Sequence, residues 1–121
     1  MKILFVDDSA VSRSLVQGIL ATQGYEVTAA ENGTEAWELW QRSRHRVVVA
    51  DWMMPGMDGL ELCRKIRAHP QGRQTYFILQ TVRAGGTGEA TEAGVDAYIT
   101  KPIVPADLLD HIKVASRVVG P

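Results

Sequence analysis

Cysteine is almost missing from this chain. Cys63 is the single copy among 121 residues, so no internal disulfide can staple the fold. With apolar neighbours on a helix-forming stretch, it reads as a packing residue in a reducing compartment. Long apolar runs are also missing, which excludes a helix of the roughly 20 residues that span a bilayer. Neither sign of charge dominates: 13 basic and 14 acidic residues leave a net charge of −1. Nothing in that balance suggests a nucleic-acid-binding surface. The one basic cluster, Arg42, Arg44, His45 and Arg46, reads as a solvated helix end before a buried strand. No leader-like segment separates Met1 from the first apolar run, so the expected location is cytoplasmic, with no membrane and no direct nucleic-acid partner.

What is present is one domain's worth of chain, enough to bury roughly two thirds of its unfolded surface. Short strand-like runs alternate five times with longer segments of helical period. The strands fall at Lys2 to Val6, Glu26 to Ala30, Val47 to Ala50, Tyr76 to Gln80 and Asp96 to Thr100. The first helix runs from about Ser9 to Gln23, with Val11, Leu15, Val16, Ile19 and Leu20 on one face and Gly24 as a left-handed cap. Asn32-Gly33 reads as a turn with Thr34 capping the second helix, on which Trp37 and Trp40 share a face. Asp58 caps the third helix, which buries Leu62, Cys63 and Ile66 and stops near His69-Pro70. Glycines at 85, 86 and 88 make the fourth helix short, beginning near Glu89 and closed by Gly94. Pro105 opens the fifth, with Leu108, Leu109 and Ile112 facing inward. Five βα units demand a parallel α/β sheet, doubly wound with helices on both faces. The domain is expected over 1–118, with 119–121 beginning a tail or linker.

Four polar stations then stand out, each closing an apolar run: Asp7-Asp8, Asp51, Thr81 and Lys101-Pro102. In an open parallel sheet the C-terminal strand ends share one edge, where ligands bind. Three carboxylates crowded there repel one another unless a cation joins them. Magnesium suits an all-oxygen set, and the absence of histidine and cysteine from these strand ends argues against zinc. A carboxylate beside such a metal is a plausible nucleophile toward phosphorus. Asp51, ending the central strand, is the best candidate; Asp7 and Asp8 read as the metal pair. Lys101 and the Thr81 hydroxyl suit the transferring phosphoryl oxygens.

These residues lead to a family. Val6-Asp7-Asp8, Asp51-Trp52-Met53-Met54-Pro55-Gly56-Met57-Asp58-Gly59, Thr81 and Tyr98-Ile99-Thr100-Lys101-Pro102 make the chain resemble, over essentially its whole length, the receiver domain of two-component response regulators. The resemblance implies a flavodoxin-like (βα)5 sheet of strand order 2-1-3-4-5. It implies that Asp51 takes a phosphoryl group from a sensor histidine kinase or phosphotransfer protein. Asp7, Asp8, Asp51 and the backbone carbonyl of Met53 would hold Mg2+, with Mn2+ as a substitute. Thr81 and Lys101 would contact the phosphoryl oxygens, and Lys101-Pro102 would be a cis peptide. The implied switch moves Thr81 toward the phosphate and turns Tyr98 inward. The face of helix four, strand five and helix five then changes how it meets an output domain, a partner or a second copy of the chain. The implied role is a phosphoacceptor switch that assists its own phosphorylation and dephosphorylation, not an enzyme.

The chain also departs from that pattern. Val82 is stiff where the family is commonly small, so it is expected to crowd the inward rotamer of Tyr98. Ile103 replaces a frequent aromatic, and bulky Met53 and long Arg83 at the rim suggest slow hydrolysis of the acyl phosphate. Three competing readings follow from the residues. A metal-dependent aspartyl-phosphate phosphatase needs an acid two residues after the nucleophile, where this chain has Met53. A flavin or nucleotide binder needs a glycine- or hydroxyl-rich loop where Asp7-Asp8 stands. A pseudo-receiver that works only by phosphorylation-independent protein interaction would not need the full set of stations.

Overall fold

A computed structural model describes residues 1–82 and 88–120. Five strands, β1 (Lys2–Val6), β2 (Glu26–Ala30), β3 (Val47–Asp51), β4 (Tyr76–Thr81) and β5 (Ala97–Thr100), alternate with α1 (Ala10–Ala21), α2 (Gly33–Ser43), α3 (Gly59–Ala68), α4 (Gly88–Ala93) and α5 (Pro105–Val119). The strands form one all-parallel sheet in the order β2-β1-β3-β4-β5. The expected flavodoxin-like architecture is therefore the observed one.

Alternation along the buried strands divides the core into two layers. Ile3, Phe5, Val47, Val49 and Ile78 pack with Val16, Leu20, Leu108 and Ile112 beneath α1 and α5. Leu4, Val6, Val48, Ala50, Phe77 and Leu79 pack with Trp40, Leu62, Cys63 and Ile66 beneath α2 and α3. Both faces of β3 are covered, which is why its sequence is continuously apolar. β2, at the edge, is only partly buried. Cys63 is buried and its thiol donates to the Ala93 carbonyl at 3.4 Å; burial pushes its pKa up to about 11.

Several local expectations need correction. Only Val16 and Leu20 of the α1 stripe are fully buried, whereas Val11 and Leu15 are 78% and 55% exposed. The stripe is wider than the sheet can cover. Asn32, not Thr34, caps α2: its side chain accepts the Glu35 N–H at 2.8 Å, and Gly33 is already helical. His45 is not solvated. It is buried, its Nδ1 has no hydrogen-bond partner among the described residues, and burial together with the Lys2 charge lowers its pKa. Its carbonyl accepts the Trp40 indole N–H and the Thr75 hydroxyl, which draws the loop after α2 under the core. Helix α5 runs from Pro105 through Val119. Arg83 and the glycines at 85 and 86 lie outside the described residues.

Other elements match their sequence signals. Asp58 caps α3 by accepting the Glu61 N–H at 2.9 Å, and Gly24 and Gly94 adopt the positive φ expected after α1 and α4. Gly59 permits a close approach that sets the site: a Cβ there would meet the Asp51 carbonyl oxygen at 2.5 Å and Leu79 at 2.8 Å. Helix α3 is thereby seated directly against the end of β3.

Candidate functional site

The C-terminal strand ends bring the stations together. Asp7, Asp8 and Asp51 each place a carboxylate oxygen within 4.8 Å of the others. Asp7 and Asp51 are buried and Asp8 is exposed. Asp7 is held on every side. Its N–H donates to Ala30 O, and its carbonyl accepts Arg13 Nη1 at 2.8 Å. One carboxylate oxygen accepts the Ser9 N–H at 2.9 Å, and the other accepts Gln80 Nε2 at 3.4 Å. Arg13 also reaches Glu31 at 4.0 Å, tying the start of α1 to the loop after β2.

Asp51 faces the ammonium of Lys101, whose Nζ lies 2.5 Å from its Oδ2 and 4.0 Å from Oδ2 of Asp7. Burial raises the Asp51 pKa; the hydrogen bond and charge of Lys101 oppose this, Asp7 reinforces it, and the Met53 N–H opposes it weakly. Lys101 is delivered by the end of β5. Its N–H donates to Thr81 O at 2.9 Å, and the peptide to Pro102 is cis, as the resemblance implied. Thr81 is buried as the last residue of β4, one step from Gln80, which is in register with Asp51.

The remaining named residues sit around this centre. Met53, two residues beyond Asp51, is 75% exposed at the rim. Tyr98 is half-buried against the layer under α2 and α3, with its hydroxyl 3.5 Å from Thr91 Oγ1. Val82 is 76% exposed and lines a cleft with Leu15, Val16 and Ile103, of which Val16 and Ile103 pack in the opposite layer from Tyr98. Two contributors escaped the sequence reading: Arg13 and Gln80. Arg13 looked like one more polar helix residue, and Gln80 looked like the tail of an apolar run. Four-residue spacing beyond Asp8-Ser9 and a polar residue in a buried strand were the available signals.

The donor set fits a hard divalent cation. Among the described residues it offers three carboxylates in one cluster and no histidine or cysteine, a set suited to magnesium. Asp8 is the exposed member of the set, and magnesium characteristically retains several waters when it binds carboxylates.

Comparison with known proteins agrees with this geometry. The family model described as the response regulator receiver domain matches residues 3–113. The chain is 41% identical to the chemotaxis protein CheY1 of Helicobacter pylori over 94% of its own length and 95% of that protein. It is similar in structure to the chemotaxis response regulator CheY4 of Vibrio cholerae, with a TM-score of 0.90 and 32% identity over 94% of this chain and 97% of that one. It is also similar to the receiver domain of a sensor histidine kinase from Pseudomonas aeruginosa, which has a magnesium ion in its active-site cleft. That match has a TM-score of 0.84 and 30% identity over 99% and 98% of the two chains. Among the described residues, no helix is long and apolar enough to cross a membrane.

Proposed function

Because this chain belongs to the response regulator receiver family, and so to two-component signalling, we propose that Asp51 is the residue that receives the phosphoryl group. The observation behind this reading is the position of its carboxylate. It is buried at the end of the central strand, beside Lys101 and within the acidic cluster. The donor would be a phosphohistidine of a sensor kinase or phosphotransfer protein. An Asp51 oxygen forms the new O–P bond as the N–P bond of the donor breaks. The bonding pair leaves with the imidazole, which then takes up a proton. Lys101 transfers its contact from the carboxylate to a phosphoryl oxygen, and the Thr81 hydroxyl donates to another. A bound magnesium ion, with manganese as its substitute, supplies charge neutralisation when held by Asp7, Asp8, Asp51 and the Met53 carbonyl.

The domain, 1–118 with the end of α5 leading out of it, acts in this reading as a switch rather than as a multiple-turnover phosphatase. Met53 offers no acid–base group where such an enzyme needs one. Thr81, Tyr98 and Val82 form the switch set, with stiff Val82 crowding the inward rotamer of Tyr98. Their movement changes the α4–β5–α5 face, through which the domain meets its output partner or a second copy of itself. New charge at Asp51 is the local event that biases this element.

The reading is tested by mixing the domain with a histidine kinase carrying radiolabelled phosphohistidine. Label is expected to pass to the wild type and not to Asp51→Asn. Equal labelling of that variant would overturn the assignment.

A further inference from the structure

We propose that Gln80 is a positioning residue for the metal-binding carboxylates, one that reaches across the central strand to set the orientation of Asp7. The proposal deepens the reading of the acidic cluster as a magnesium site and rests on it.

Gln80 is 1% exposed, a polar side chain enclosed in a core layer. A buried amide needs partners, since leaving one unsatisfied costs about 1–3 kcal/mol. Its Nε2 donates to Oδ2 of Asp7. Those two residues lie on β4 and β1, with β3 between them. Two inter-strand spacings amount to roughly 9.5 Å. Only a long side chain closes such a gap, and it must pass over the end of β3 where Asp51 stands in register with Gln80. The Gln80 backbone serves the same end, its carbonyl accepting the N–H of Trp52 at 2.9 Å. One residue therefore braces both Asp7 and the chain immediately after Asp51.

The two Asp7 carboxylate oxygens have donors on opposite sides, Ser9 N–H on one and Gln80 Nε2 on the other. Lys101 does not replace Gln80, because its Nζ is 4.0 Å from Asp7 Oδ2 and is engaged with Asp51. Without the amide, the Ser9 N–H is the remaining hydrogen-bond donor to the Asp7 carboxylate among the described residues, and Oδ2 loses its donor. A carboxylate that must be reoriented each time the cation binds holds it more weakly. Hydrogen bonds of this outer kind typically contribute 10–100-fold to metal affinity. Length is as important as polarity here: asparagine keeps the amide but falls about one methylene short.

The test titrates Mg2+ into the wild type, Gln80→Leu and Gln80→Asn, reading intrinsic tryptophan fluorescence, with Trp52 adjacent to Asp51 as the reporter. Side-chain amide resonances of the 15N-labelled wild type are recorded in parallel, and melting is measured in EDTA. Both variants should bind Mg2+ on the order of 10-fold more weakly, while a cooperative melting transition in EDTA, at a temperature lowered by the lost hydrogen bond, shows that each is folded. The Gln80 amide resonance should shift with the same midpoint as the fluorescence. Wild-type affinity in both variants would overturn the positioning role, as would a Gln80 resonance indifferent to Mg2+. The resonance decides the matter alone should the variants fail to fold. A wild type that binds no Mg2+ would instead overturn the metal reading, and this proposal with it.

Discussion

The ammonium of Lys101 lies 2.5 Å from Oδ2 of Asp51, across a distance of fifty residues in sequence. The contact joins the end of β5 to the end of β3, over the intervening β4, and supplies a positive charge that opposes the rise burial imposes on the Asp51 pKa. Lys101 keeps 30% of its side chain exposed, so it remains able to move onto a new partner.

Removing that ammonium should separate binding from chemistry. Lys101→Met is expected to keep Mg2+ binding but to lose phosphorylation by acetyl phosphate by on the order of 100-fold, the usual effect of deleting one charge-stabilising donor. The metal-free variant should also depend more on Mg2+ for its melting temperature, because Asp51 and Asp7 lose their cation. Initial phosphorylation rates and melting curves with and without Mg2+ check both statements. A variant phosphorylated at the wild-type rate would remove Lys101 from the mechanism.

Gly59 is a site where one methyl group should reach the chemistry through the backbone. A Cβ would collide with the Asp51 carbonyl oxygen at 2.5 Å and crowd Trp52 Cα at 3.1 Å, both backbone atoms that no side-chain rotation can move aside. Gly59→Ala is expected to cost about 1–3 kcal/mol by urea denaturation, in the range of overpacked cores. Phosphorylation of the folded fraction should fall as well, since α3 can relax only by shifting the end of β3. An unchanged urea midpoint would mean that α3 moves away freely.

His45 should give the stability a dependence on pH. Burial first, and Lys2 second, lower its pKa below the ordinary 6.5. The unfolded chain therefore binds a proton more readily than the folded one between that lowered value and about 6.5. His45 does not penalise folding above this window. As pH falls through it, the unfolded state gains the proton and stability declines, by at most about 1.4 kcal/mol per pH unit for one group. Urea midpoints of the wild type and His45→Phe from pH 5 to 8 should differ by a constant amount at high pH. The wild type should decline more steeply at low pH. Parallel profiles would show that His45 does not titrate with folding.

The sequence carried most of the sheet and the four stations because each signal was local. A strand buried on both faces must be apolar throughout, so Val47 to Ala50 announced β3, and the acid that follows announced the site. What it concealed was tertiary. The apolar stripe of α1 includes Val11 and Leu15, yet burial depends on how wide a surface the sheet presents, and these two remain outside. Asn32 and Thr34 are both competent caps, and the choice between them is made by where the chain leaves β2. His45 looked solvated among arginines because its burial follows from the path of the loop. Gln80 could not be matched to Asp7 from spacing, since the strand between them is set by topology.

The most direct measurement is the intact mass of the domain after incubation with acetyl phosphate, with Mg2+ and with EDTA, for the wild type and Asp51→Asn. The account predicts one added phosphoryl group in the wild type with Mg2+, and none in EDTA or in the variant. A folded, Mg2+-binding wild type that gains no phosphoryl group, even from a histidine-kinase donor, would contradict it.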